Sequence, residues 1–188
     1  LTGGRVDGYM ETIRRILDGD YKNATSDERE QAAREVLQVC AVAAGAVALQ
    51  PFPLVDIALV TPIQIVMVQA ISRIYGHGLD RQGVFEFFGA IGAGIVSQQV
   101  IMAGAKLIPF IGWIVGISIA FALTWAIGEV CIHYFANGRQ VPLEELQAMF
   151  SQVYETKKAE KQNEIRRNDS LKDRLQQLKD AYKAGVIT

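Results

Sequence analysis

Two cysteines and two histidines in 188 residues leave this chain poor in the side chains that cross-link, hold metals or act as nucleophiles. Cys40 and Cys131 both fall within apolar helical stretches, where a thiol packs as a small hydrophobe. Two such cysteines make no disulfide framework, so a reducing, cytoplasm-facing location is the simpler reading. His77 stands in a Gly76-His77-Gly78 turn without clustered ligands, and no metal site is expected there. Cys131 and His133 are two residues apart on a predicted helix and point to different sides, so they form no nucleophile pair.

Phosphate-binding loops are missing too. No GxxxxGKS or GxxxxGKT stretch exists, and the glycines from Gly89 to Gly94 follow no strand, so neither a P-loop nor a dinucleotide loop is expected and no cofactor is implied. The chain cannot itself be a P-loop GTPase. Nor is there an excess of positive charge: 19 Lys and Arg stand against 20 Asp and Glu, which gives no electrostatic case for nucleic acid. The first 35 residues are polar and charged, without the continuous apolar run of a signal peptide. The chain begins at Leu1 rather than Met, which leaves room for residues upstream.

What charge there is lies at the flanks. Between Val36 and Phe135 the only charged residues are Asp56, Arg73, Asp80, Arg81, Glu86, Lys106 and Glu129. Uncharged runs extend over Val36–Val55, Phe87–Ala105 and Leu107–Gly128, each about the twenty residues that cross hydrocarbon. A buried helix of a soluble bundle can be equally uncharged, so the runs need ranking. Pro51 and Pro53 break the first, and Ser97, Gln98 and Gln99 interrupt the second. The third has only Ser118 and Thr124 as defects, with Trp113 and Trp125 near its ends, and is the best candidate for lipid.

Periodicity and stop signals predict an all-α chain: a helical bundle with a central apolar helical hairpin and a long C-terminal helical extension. A short amphipathic helix ends near Gly19, and Thr25, Ser26 and Asp27 offer a cap for a second that runs towards Leu49. Pro51 and Pro53 stop it, and a third spans about Leu54 to Tyr75 with Pro62 inside. A fourth from about Asp80 to Lys106 and a fifth from Pro109 to about Ala136 make the hairpin. Pro142, Glu144 and Glu145 suit the first turn of the next, whose stripe is Leu143, Leu146, Met149, Phe150 and Val153. From Glu155 to Ser170 the stripe fades to Ile165, which predicts a solvated helix or linker, and Leu171, Leu175, Leu178 and Tyr182 restore a narrow seam. The resulting division is 1–35, an amphipathic flank; 36–138, an apolar core; 139–170, a charged extension; and 171–188, a short terminal module.

Gly112, Gly116, Ala120, Thr124 and Gly128 form a row of small residues four apart on the fifth helix. Such a row lets another helix approach closely, either within the hairpin or across an oligomer contact. Helix-interior glycine is unfavourable by up to about 1 kcal/mol against alanine, so the row needs a packing reason. Asp56 stands alone among apolar residues; it reads as a carboxylate near a helix N-terminus or as a possible functional carboxylate, and an enzymatic reading would rest on it alone. Lys106 and Glu129, at the edges of apolar runs, suit snorkelling to an interface.

The segments PFPLVDIALVTPIQIVMVQAISRIYG from Pro51, KLIPFIGWIVG from Lys106 and TWAIGEVCIHYFANG from Thr124 resemble the YcjF-like bacterial proteins grouped as domain of unknown function 697. The resemblance covers roughly Val36 to Gly138 and places Pro51, Pro53, Asp56, Gln64, Met67, Tyr75, Gly76, Pro109, Gly112 and Gly128 on its recurrent positions. It implies a helical, membrane-associated domain often fused to or encoded beside Era-like or Ras-like GTPases, with no established reaction. The segment LKDRLQQLKDAYKAGVIT from Leu171 looks like the first half of the short C-terminal oligomerisation module called SHOCT. The expectation is a non-catalytic membrane-associated module that anchors or receives a GTPase partner, with membrane lipid and further copies of itself as other partners. Three of the 19 Lys and Arg residues lie in the apolar middle (Arg73, Arg81, Lys106); the other sixteen lie in the flanks, which places both flanks on the cytoplasmic face of a bacterial membrane. The rival expectation is a soluble scaffold that buries the hairpin inside an oligomer, since Asp56, Arg73 and the glutamines suit a wet core better than lipid.

Overall fold

The computed structural model describes the backbone of residues 15–16, 18–48, 53–92 and 111–183, and side chains within 15–16, 18–48, 60–91 and 115–170. Five helices follow in order: α1 (Ser26–Val47), α2 (Pro53–Ile74), α3 (Arg81–Gly92), α4 (Ile111–Ala136) and α5 (Leu143–Lys183). The chain is an all-α bundle, and among the described residues there is no strand.

Local chemistry explains the ends of the helices. Thr25 caps α1 by a capping box: its hydroxyl accepts from the Glu28 backbone N–H, and the Glu28 carboxylate accepts from the Thr25 N–H at 2.8 Å. Pro53 opens α2, a place where its missing N–H leaves no bond unmade. Gly76 ends that helix at φ 81°, with the His77 N–H donating to the Ser72 carbonyl and the Gly76 N–H to Arg73. The same arrangement ends α4 at Gly138, φ 62°, where Arg139 also takes a positive φ of 64°. Both glycines occupy a conformation that a Cβ disfavours.

At about 1.5 Å per residue α4 is about 39 Å long, and it forms the axis of the molecule. α1, α2 and α5 all pack along it, while α3 meets α2 and α5. α1 runs antiparallel to α4, with Leu37 beside Gly128 and Ala48 beside Gly116. α2 runs parallel to it, with Gln64 beside Thr124. The larger core gathers Leu37, Met67, Ile71, Ala126 and Val130 with Phe135, and α3 closes it by setting Phe87 against the Tyr134 and Phe135 rings.

Two sequence expectations are modified. The expected fourth helix is described as far as Gly92; its remainder and the hairpin turn at Lys106–Pro109 lie outside the described residues. In the described part, α3 touches only the C-terminal end of α4, so the neighbours that flank α4 along its length are α1, α2 and α5. The extension from 139 is a single helix that continues without a break past residue 170 to Lys183. Its stripe does not fade at Glu155, because Lys157, Lys161 and Ile165 carry it on along α4.

Candidate functional site

The charge pattern of three separate helices becomes a single feature once they pack. α1 has no charged residue after Glu35, α2 none between Asp56 and Arg73, and α4 none before Glu129. A second, smaller core of Ala44, Ala48, Val60, Ile117 and Ala120 holds the uncharged parts of these helices together at one end of the bundle. The other end carries the charge. There Arg34 of α1 reaches the Glu129 carboxylate at 3.1 Å, and the Trp125 indole N–H donates to the same carboxylate at 3.1 Å. Glu30 holds the opposite edge of the Arg34 guanidinium at 2.9 Å.

Large hydrophobic side chains face outward at both ends, Phe85 at 48% and Leu143 at 41% exposure near the charged one, and also from the uncharged stretches of α1 and α2. Val42 on α1 is 42% exposed and Val66 on α2 is 38% exposed. Around them Val39, Ala43, Val47 and Ile63 are only partly covered, and Pro62 is exposed. Scattered exposed aliphatics are ordinary on a protein surface; several on adjacent helix faces that lack charge are a marker of a contact surface.

α4 is the one described helix that is long and apolar enough to cross a membrane, over Val115–Ala136, and 67% of its most apolar stretch is buried by the other helices. Its row of small residues has described contacts with α1 and α2. A Cβ added at Gly128 would collide with Leu37 Cδ1 and lie 3.3 Å from Met67 Sδ. Thr124 is fully buried and accepts a hydrogen bond from Gln64 Nε2 at 3.1 Å. Ala120 sits in the smaller core, and among the described residues a Cβ on Gly116 would meet only the Ala48 carbonyl oxygen, 4.0 Å away. Gly112 lies in the first turn of α4, where side-chain surroundings are outside the described residues. Asp56 falls in the first turn of α2, and its carboxylate is likewise outside them.

The remaining reactive side chains are dispersed. Cys40 and Cys131 are free and buried. His133, two positions from Cys131, turns outward to the Glu145 carboxylate at 2.9 Å, and His77 lies against the Phe135 ring. Among the described residues no group of three His, Cys, Asp or Glu could hold a metal ion. Sequence reading missed the Arg34–Glu129–Trp125 cluster. The signal within reach was Trp125 four residues before the one carboxylate of the apolar run; the Arg34 partner, 95 residues away, carried none.

The arrangement defines a class: an amphiphilic helical bundle built on an apolar axial helix, in which the uncharged stretches of α1, α2 and α4 pack together and the charged helix α5 lies over them. The chain belongs to the family described as domain of unknown function (DUF697), whose model matches residues 15–159. That match extends beyond the 36–138 core on both sides and takes in the first part of α5. "Magnetosome membrane protein 22" of Magnetospirillum gryphiswaldense is 32% identical over 142 residues, which is 70% of this chain and 73% of that protein. No solved structure matches.

Proposed function

We propose that this chain is a non-catalytic membrane-associated helical module that anchors or receives a GTPase partner at a bacterial cytoplasmic membrane, with its charged flanks in the cytoplasm. The observation that carries the membrane part is the packing together of the uncharged stretches of α1, α2 and α4, with Val42 and Val66 turned outward from two of them. A membrane relative with 32% identity supports the same reading. The membrane-contacting part is then formed by these stretches, together with the hairpin expected between α3 and α4. The GTPase partner rests on the family resemblance, and the charged end around Arg34, Glu30 and Glu129 is the face that would stay in water to meet it.

The test is fractionation of cells that express the protein, with carbonate and detergent washes, followed by flotation of purified protein with liposomes. Retention through carbonate, or flotation that needs lipid, supports the reading. Protein that stays in the soluble fraction and never floats contradicts it.

The second reading is a soluble self-assembling scaffold. The buried Gln64–Thr124 hydrogen bond favours it, since paired amide and hydroxyl groups suit a wet core. An oligomer that forms without lipid or detergent, and that covers Val42 and Val66, would select it.

A further inference from the structure

α5 is held to α4 by two different kinds of contact along its length. Its first turns insert Leu146, Phe150 and Tyr154, which are 3%, 3% and 7% exposed, into the main core. Burial pushes the Tyr154 phenol up to about 12, so it remains neutral and apolar in character. Further along, the residues that face α4 are lysines. Lys157 Nζ stands 4.9 Å from the centre of the Trp125 ring and Lys161 Nζ 4.9 Å from that of Phe121, before Ile165 reaches the smaller core.

Lysine is a weak cover for an apolar helix. Its methylenes shield the half-buried rings while the ammonium group keeps to the water, and a hydrated cation over such a ring adds only a weak attraction. The ion pairs of these lysines also tie α5 to itself: Lys157 with Glu160 at 2.8 Å, Lys158 with Glu155 at 2.6 Å and Lys161 with Glu164 at 2.9 Å. Each joins residues three apart on one helix, so all three survive if that stretch of α5 lifts away. The uncovered strip of α4, from Ile117 to Trp125, would adjoin the uncharged stretch of α1, whose Gly45 lies beside Ile117 and Phe121.

We propose that the Ile117–Phe121–Trp125 face of α4 is a lipid-contacting surface that the stretch of α5 from Lys157 to Ile165 covers and releases, pivoting on Phe150 and Tyr154. This rests on the membrane reading above and adds to it a second contact that opens. Lipid acyl chains are the occupant because the face is aromatic and aliphatic, without charge before Glu129. Lysines on the lifted strip would then lie at the level of the phosphates, the usual place for basic residues of an interfacial helix.

The experiment is a reversible lock. In the full chain with Cys40→Ala and Cys131→Ala, the pair Phe121→Cys and Lys161→Cys is bridged by a bifunctional thiol cross-linker with a reducible arm, which spans the length of the two lost side chains, and flotation with phosphatidylglycerol-containing liposomes is compared before and after reduction. The lock is expected to lower the floated fraction at least about threefold, with full recovery on reduction, as for a ligand that needs the open state. Equal flotation of locked and reduced protein, or failure of the two cysteines to be bridged, overturns the strap while leaving the membrane reading intact. Absence of flotation in the unsubstituted chain overturns both. A second variant needs no cross-link: Ile165→Asp loosens the strap and should raise flotation with helicity unchanged, whereas unchanged or lowered flotation overturns the proposal.

Discussion

Around Gly128 the bundle is locked by contacts that admit no slack: Leu37 and Met67 fill the space that a Cβ would need, Thr124 takes the Gln64 amide, and Glu129 joins Arg34 to Trp125. About three turns earlier on the same helix, Gly116 meets among the described residues only a carbonyl oxygen 4.0 Å away, and α1 presents only alanine, valine and Gly45. The comparison shows where specificity is stored. The charged end fixes register through shape and hydrogen bonds, while the apolar end is held by small aliphatic contacts that a lipid phase can imitate.

The sharpest way to break this comparison is to place the same methyl group at both glycines. Gly128→Ala forces the buried Leu37 aside and should destabilise by about 1–3 kcal/mol. Gly116→Ala meets nothing closer than 4.0 Å among the described residues and should be neutral or stabilising by up to about 1 kcal/mol. Denaturant melts of the two variants read the difference directly, and equal effects would erase the distinction between the ends.

A smaller effect tests the polar lock. Glu129→Ala removes the acceptor for the Trp125 indole and one partner of Arg34, with an expected loss of about 1–2 kcal/mol in the same melts. A loss below about half a kcal/mol would mark the cluster as an ordinary surface pair. Next is the buried Gln64–Thr124 bond, for which a double-mutant cycle with Gln64→Leu and Thr124→Val should give a coupling of about 1 kcal/mol. Additive single effects would show that the two groups stabilise the bundle independently.

The smallest expected effect is at the start of α1. Hydrogen bonds from Thr25, first the backbone N–H and then the hydroxyl, hold the Glu28 carboxyl below its ordinary value of 4.5. A depressed folded pKa means that this contribution is complete above the unfolded value and is lost as pH falls through the folded one. Acid titration followed by the Glu28 carboxyl resonance should therefore show a midpoint below that of Thr25→Ala, which keeps the backbone donor and loses the hydroxyl; coincident midpoints would show that the hydroxyl does not hold the carboxylate.

Much of the fold was legible because local chemistry decided it. The Thr25 cap, the break at Pro51 and Pro53, and the turns at Gly76 and Gly138 each follow from a backbone need that few residues meet. The row from Gly116 to Gly128 announced close approach, but a small residue has no side chain to name its neighbour, so α1 and α2 could not be read from it. The strap was hidden for another reason. Lys157 and Lys161 count as polar in any periodicity, although their methylenes lie on Trp125 and Phe121, and the stripe therefore looked as if it ended. Long-range pairing, as between Arg34 and Glu129, depends on how helices dock and leaves no local trace.

The central claim, that the uncharged stretches of α1, α2 and α4 meet lipid and the charged end does not, is tested most directly on the two ends of α1. A polarity-sensitive fluorophore is attached at Val42→Cys or at Gln31→Cys in the background without Cys40 and Cys131, and emission is read with and without liposomes. Both positions are exposed on the same helix. The account predicts a lipid-dependent blue shift at residue 42 and none at residue 31; no shift at 42, or equal shifts at both, would contradict it.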